Sequence, residues 1–238
     1  MTETTTALVT GANKGLGRET VRRLAGLGWR VFLAARDTAR GEAAAAELVE
    51  DGLAVEFVPL DVASEDSVFA AAEAVKARSG RLDVLVNNAG VVDSGIPVTD
   101  VRGDDVRDLF EVNVFGPVRV THAFLPLLRA SENPRVVMVS SSAGSVPDAI
   151  EWGKTYGPVL GYPSSKAALN MITTQYAIAL GDIRINAVNP GKTATDMTGF
   201  SADSQPVTEG AEVIVKLATV GPDGPTGEFF DNDGLVPW

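Results

Sequence analysis

ALVTGANKGLGRET, residues 7–20, runs from an apolar stretch through three glycines (Gly11, Gly15 and Gly17) into a helical pattern. Glycines permit a tight turn and a close approach of backbone to a ligand, and the following helix presents free N–H groups and the positive end of its dipole. The spacing G-x-x-x-G-x-G is wider than the commonest dinucleotide fingerprint but uses the same physics. The turn from Gly11 to Gly17, through Asn13, Lys14, Gly15 and Leu16, is therefore a candidate cradle for a pyrophosphate. A glycine triplet alone is a weak sign, because such turns are common between strand and helix. Here the strand before it, the amphipathic helix after it and a further strand supply the context the motif needs.

Outward from this turn, short apolar runs alternate with helical patterns. Strands are expected at 6–10, 30–35, 54–60, 82–87, 135–140, 183–189 and 227–230, most of them apolar throughout, as strands covered on both faces are. Helical stretches such as LGRETVRRLAGLG and ARGEAAAAELVEDG lie between them. The alternation predicts an α/β fold: one doubly wound Rossmann-type domain over residues 1–238, with a mainly parallel seven-stranded sheet flanked by helices. No repeat or linker interrupts it. Residues 201–210, SADSQPVTEG, carry the least pattern and read as a mobile loop.

Bulk properties narrow the function. The 238 residues carry a formal net charge of -11, which repels phosphate backbones and anionic lipids, so neither nucleic acid nor a membrane surface is an expected partner. The absence of cysteine removes disulfides, thiolate catalysis and zinc–sulfur sites, and a single histidine, His122, leaves no imidazole metal centre. No apolar run reaches a membrane span and the N-terminus has no secretory pattern, so a cytoplasmic location is expected.

The second strand ends FLAARD, with Arg36 about 20 residues beyond the glycine turn, where a dinucleotide's adenosine ribose would lie. Arg36 and Lys14 converging there favour a 2′-phosphate, whose charge needs local compensation on an acidic protein. NADP(H) is accordingly expected over NAD(H). Asp37 leaves two readings open: a partner for a ribose hydroxyl, or the start of the next helix.

TGANKGLG, NNAG at 87–90, NVFG at 113–116, the serines at 140–142, YPSSK at 162–166 and NPGKTATDM at 189–197 occur in the order of the short-chain dehydrogenase/reductase family. The chain resembles that family over nearly its whole length, and its NKGLG turn and the ending GPTGEFFDNDG resemble the carbonyl-reductase-like branch. The resemblance implies that Asp61 and Val62 contact adenine and that Asn88, Ala89 and Gly90 line the adenosine side. It implies that Pro190, Gly191, Thr193 and Thr195 bracket the nicotinamide amide, and that Asn113 holds a water linking Lys166 to solvent. It further implies a catalytic serine three residues before Gly144, which selects Ser141. Strand alternation agrees, with Ser142 as the rival. A homo-oligomer paired through the helix carrying the tyrosine is common among relatives and stays open here.

Tyr162 and Lys166 stand four apart and so share one helical face, with Pro163 in the first turn, where a missing N–H removes no helical bond. A cation about 4–5 Å from the phenol, at an effective dielectric near 20, favours phenolate by roughly 3–4 kcal/mol. That is enough to bring a phenol of ordinary pKa about 10 into working range. The expected chemistry is hydride transfer between a nicotinamide and a carbonyl carbon, with Tyr162 as proton donor, Ser141 on the carbonyl oxygen, and Lys166 tuning the phenol and anchoring the ribose. The substrate is a small-molecule aldehyde or ketone. Alternatives are the same site running as an alcohol dehydrogenase, or a non-catalytic NADP(H)-binding redox sensor. Trp152 and Tyr156 either wall the substrate pocket or pack a surface helix, and Phe200 is a weaker candidate for a lid.

Overall fold

The computed structural model describes residues 4–93 and 96–238. Seven strands form one sheet: β1 (Thr6–Thr10), β2 (Arg30–Ala35), β3 (Val55–Pro59), β4 (Val84–Asn87), β5 (Arg135–Val139), β6 (Arg184–Val188) and β7 (Phe229–Phe230). Their order is β3-β2-β1-β4-β5-β6-β7 and every neighbouring pair is parallel. Each expected strand is present, shortened at one or both ends by a residue or two except for β1 and β2.

Parallel pairing obliges the chain to cross over between strands, and the helices that do so cover both faces. They are α1 (Gly15–Gly26), α2 (Thr38–Glu50), α3 (Glu65–Ser79), α4 (Gly103–Phe110), α5 (Gly116–Leu128), α6 (Ala149–Tyr156), α7 (Gly161–Ala179) and α8 (Val207–Ala218). Alternate residues of each strand feed two cores. Leu8, Phe32, Leu85, Val136 and Ile185 pack with Val68, Phe124 and Leu169 of α3, α5 and α7. Val9, Leu33, Val86, Val137 and Val188 pack with Leu24, Leu48 and Ile214 of α1, α2 and α8. A continuously apolar strand is thus the sequence signature of a sheet with two covered faces.

One expectation fails. Residues 207–210 are the first turn of α8, not loop. Pro206 starts the helix, a position where its fixed backbone angle and missing N–H are tolerated, and the apolar face of α8 (Val213, Ile214 and Leu217) is buried under the sheet. The end of the remaining loop is also tied down, since the Gln205 N–H donates to the Lys192 carbonyl and the Gln205 carbonyl accepts from the Ala194 N–H, a bridge centred on Thr193. Among the described residues no helix is long and apolar enough to cross a membrane.

Strand order reverses between β1 and β4, and a crevice opens there at the carboxyl ends of the strands. Helices α4 and α5 are joined through a widened π-helical turn, Glu111–Phe115, which holds the buried Asn113.

Candidate active site

A cavity of ≈ 740 Å³ occupies the crevice, and every cofactor-contacting or catalytic residue expected from the sequence lines it except Asn113. Its floor is the glycine turn. Gly11 has φ +63°, and a Cβ on it would come within 2.9 Å of the Ala89 backbone, so the turn and the loop after β4 can touch only through glycine. Helix α1 begins after Lys14 with no side-chain cap and no acidic residue in its first turn. Its first N–H groups and positive dipole end therefore face the cavity without competition from carboxylates of that turn.

Thr10 and Asn88 hold the turn. The Thr10 hydroxyl accepts from the backbone N–H groups of Asn88 and Ala89 at 3.0 Å each, and the Asn88 amide donates to the carbonyls of Thr10 (2.8 Å) and Gly11 (3.3 Å). Asn88 thus lines the cavity while its amide secures the turn. Asp61 likewise lines the cavity and braces its own loop, its carboxylate accepting from Ala63 N–H.

At the ribose end, Arg36 is exposed on the cavity wall and makes no hydrogen bond or ion pair among the described residues. Lys14 pairs with Asp196 at 2.8 Å across the cavity mouth, and this cation holds the Asp196 carboxyl below its usual range. Asp37 takes the second of its two readings: its side chain accepts from the Arg40 N–H at 3.0 Å and caps α2. A second hollow adjoins the first and is lined by Lys14, Arg18 and Arg40. Arg40 was not singled out from sequence, where it reads as an ordinary surface charge; only the fold brings it beside Lys14.

At the other end, the three serines part company. Ser140 is buried and donates to the Asn170 side chain at 2.6 Å. Ser141 turns to the cavity beside the Tyr162 phenol, where its side chain favours the phenol's ionised form. Ser142 also lines the cavity. Gly144 explains the offset between serine and glycine: a Cβ there would fall 2.6 Å from the Lys166 carbonyl carbon. Only glycine lets the serine loop lie flat on α7, and Asn170, one turn beyond Lys166, ties that contact by donating to the Gly144 carbonyl at 3.2 Å. Asn170 carried no sequence signal of its own.

Lys166 is buried, donates to the Val139 carbonyl at 2.8 Å and lies 5.6 Å from the centroid of the Tyr162 ring. Asn113 is buried too. Its amide accepts from Val91 N–H (2.8 Å) and donates to the Val91 carbonyl (2.8 Å) and to Ser165 (3.0 Å), clamping the loop after β4 onto α7. Gly90 lies between the two: a Cβ on it would be 3.4 Å from Asn113 Oδ1 and 3.7 Å from Lys166 Nζ.

The electrostatics differ from the expectation. Burial pushes the Tyr162 phenol above its ordinary value, and the Ser141 side chain draws it partway back. Burial also pushes Lys166 down from 10.5 to about 8. The sequence estimate gave the attraction between cation and phenolate before any cost of taking both charges out of water, a cost that pulls the other way. Desolvation dominates, and the phenol is held protonated rather than poised to ionise.

On the substrate side, Val91, Val92, Trp152 and Met197 supply apolar wall. Trp152 therefore lines the cavity, whereas the side chain of Tyr156 lies outside the described residues. Phe200 is 64% exposed and is absent from the lining. Among the described residues no cluster of three or more His, Cys, Asp or Glu could hold a metal ion.

The family model described as short chain dehydrogenase matches residues 5–206. The chain is 34% identical to (+)-neomenthol dehydrogenase of Arabidopsis thaliana, over 94% of this chain and 95% of that one. It is also 34% identical to (-)-isopiperitenone reductase of Mentha piperita, over 95% and 96%. Among solved structures, the NADPH-bound carbonyl reductase from chicken fatty liver superposes with a TM-score of 0.89 at 30% identity, covering 99% of this chain and 100% of that one.

Proposed function

This chain belongs to the short-chain dehydrogenase family, and on that premise we propose that it is an NADPH-dependent reductase of aldehydes or ketones. One observation carries the reading: the Tyr162 phenol, beside Ser141 and with the Lys166 ammonium 5.6 Å from its ring centroid, opens into the same cavity as the glycine turn. A proton donor and a dinucleotide cradle sharing one crevice suit hydride transfer to a carbonyl.

NADP(H) fits the residues present. Arg36 is unpartnered among the described residues, Lys14 and Arg40 stand close by, and Asp37 is occupied by α2, so the ribose end offers cations to a 2′-phosphate. The glycine turn and α1 would hold the pyrophosphate, and Pro190, Gly191, Thr193 and Thr195 the nicotinamide side. When bound, the nicotinamide supplies the hydride.

The protein's own residues do the rest. Ser141 hydrogen-bonds the carbonyl oxygen and fixes it beside the Tyr162 hydroxyl. As negative charge develops on that oxygen, Tyr162 donates its proton. Burial suits this direction, since a phenol kept protonated is a ready acid. The nearby lysine cation steadies the phenolate left behind, and Asn113, beside Gly90 and Lys166, sits where a water could return the proton. The apolar wall of Val91, Val92, Trp152 and Met197 favours a hydrophobic carbonyl, in keeping with the cyclic terpenoids in the names of two relatives.

Alcohol oxidation is the same chemistry reversed, and relatives are named for both directions. The test is NADPH consumption against benzaldehyde, cyclohexanone and isopiperitenone, with neomenthol and NADP+ for the reverse. Turnover of at least one supports the reading. Binding of NADPH with no turnover of any carbonyl or alcohol would favour a sensor.

A further inference from the structure

We propose that Asp93 is the positioning residue of Tyr162, a cap supplied from the loop after β4 that fixes the first turn of the catalytic helix. This rests on the reading of Tyr162 as proton donor. The Asp93 carboxylate accepts the backbone N–H of Tyr162 at 2.7 Å, across 69 residues of sequence.

Three observations show why the bond matters. The first is that α7 lacks a cap of its own: Leu160 precedes it and makes no side-chain capping bond. The first N–H groups of a helix have no partner within it, and Pro163 has none to offer, so the N–H of Tyr162 needs an acceptor from elsewhere. The second is the residue beside it. A Cβ on Gly161 would fall 2.5 Å from Asp93 Oδ1, so only glycine lets the carboxylate reach the helix end. The third is the place of Asp93 in the fold. It lies two residues beyond Val91, whose N–H and carbonyl are both clamped by Asn113. The loop lining the cofactor crevice is thus fixed at one point by Asn113 and joined at another to the residue that would donate the proton.

A negative group at a helix N-terminus is also favoured by the dipole, so the cap is stable where it stands. Its consequence is geometric. Freed from Asp93, the first turn of α7 can fray, and the phenol departs from Ser141 while Lys166, one turn deeper and bonded to Val139, stays in place. Loss of proton donation without loss of cofactor binding is the expected signature.

Asp93→Ala, Asp93→Asn and Gly161→Ala are compared for kcat with NADPH and the best carbonyl of the panel, and for NADPH Kd by fluorescence titration. Loss of a charge-assisted bond predicts that D93A lowers kcat by about tenfold or more, with NADPH Kd within about twofold. D93N keeps an acceptor oxygen and should stay within about threefold of the parent, because a neutral acceptor retains much of such a bond. G161A, which pushes the carboxylate away, should reproduce the D93A loss, and combining the two should cost less than the product of the single effects. Parental kcat in D93A overturns the proposal. So does D93N as impaired as D93A, or a Kd that weakens in step with kcat. If D93A fails to fold, D93N and G161A decide by the same criteria. Tyr162→Phe run alongside separates the two readings: an active Y162F defeats the assignment of the donor, whereas an inactive Y162F beside a fully active D93A defeats only the role of Asp93.

Discussion

Replacing Lys166 with Met should stabilise the nucleotide-free protein while abolishing its activity. Burial lowers the lysine from 10.5 to about 8, so at neutral pH the fold holds a cation against its desolvation. A shift of that size corresponds to roughly 3 kcal/mol of destabilisation. Met fills similar volume without charge, but leaves the Val139 carbonyl, which now accepts from Nζ at 2.8 Å, without that donor, a loss of about 1 kcal/mol. The net gain is about 2 kcal/mol, or roughly 4–8 °C in Tm for a chain of this size. The pH dependence follows from the same shift. Between about 8 and 10.5 the unfolded lysine binds a proton that the folded one has released, so the parent protein gains stability as pH rises and the advantage of K166M shrinks. Below about pH 8 both forms of the parent are protonated and the advantage is constant and full. Tyr162, raised by burial, weakens parent and variant alike above its unfolded value, so the difference between them isolates the lysine. Denaturant melts of both proteins without nucleotide, from pH 7 to about pH 10, make the measurement. A variant no more stable than the parent at pH 7, or a difference that does not narrow with pH, would refute the reasoning.

Two further outcomes follow from the site. Ser141→Ala removes the hydroxyl beside the phenol, the group proposed to bond the carbonyl oxygen, and kcat should fall by about 10²–10³ with NADPH affinity unchanged, read in steady-state assays with titration of the cofactor. Arg36→Ala should weaken NADPH by about tenfold or more, the worth of one charge-assisted phosphate contact, and leave NADH nearly unaffected, so that fluorescence titrations with the two cofactors converge.

Most of the fold was legible because its signals are local and repeated. Residues 30–35 and 135–139 are apolar at almost every position, and only a strand covered on two faces needs that. The glycine turn was legible for a similar reason, since strand, glycines and helix stand next to one another in sequence. The choice of Ser141 rested on the family's spacing to Gly144, with strand alternation in support and Ser142 as the rival, and Ser141 and Ser142 both line the cavity. What sequence did not disclose are contacts made by single polar residues across the fold. Asp93, Asn170, Arg40 and Thr10 belong to no periodic pattern, and their partners lie on other elements. The first turn of α8 was lost because TEG after a proline resembles loop until the buried face that follows is seen. The balance of the phenol's electrostatics was not legible for a different reason. Coulomb attraction can be estimated from spacing, but desolvation depends on how completely the crevice encloses Tyr162 and Lys166, and that is a property of the whole fold.

In the proposed reaction the Tyr162 hydroxyl delivers the proton. Tyr162→Phe keeps the ring and removes only the oxygen, so kcat for NADPH-dependent carbonyl reduction should fall by about 10³ or more, while NADPH Kd stays within about twofold. A variant that keeps more than about a tenth of parental turnover, with the cofactor bound normally, would contradict the account.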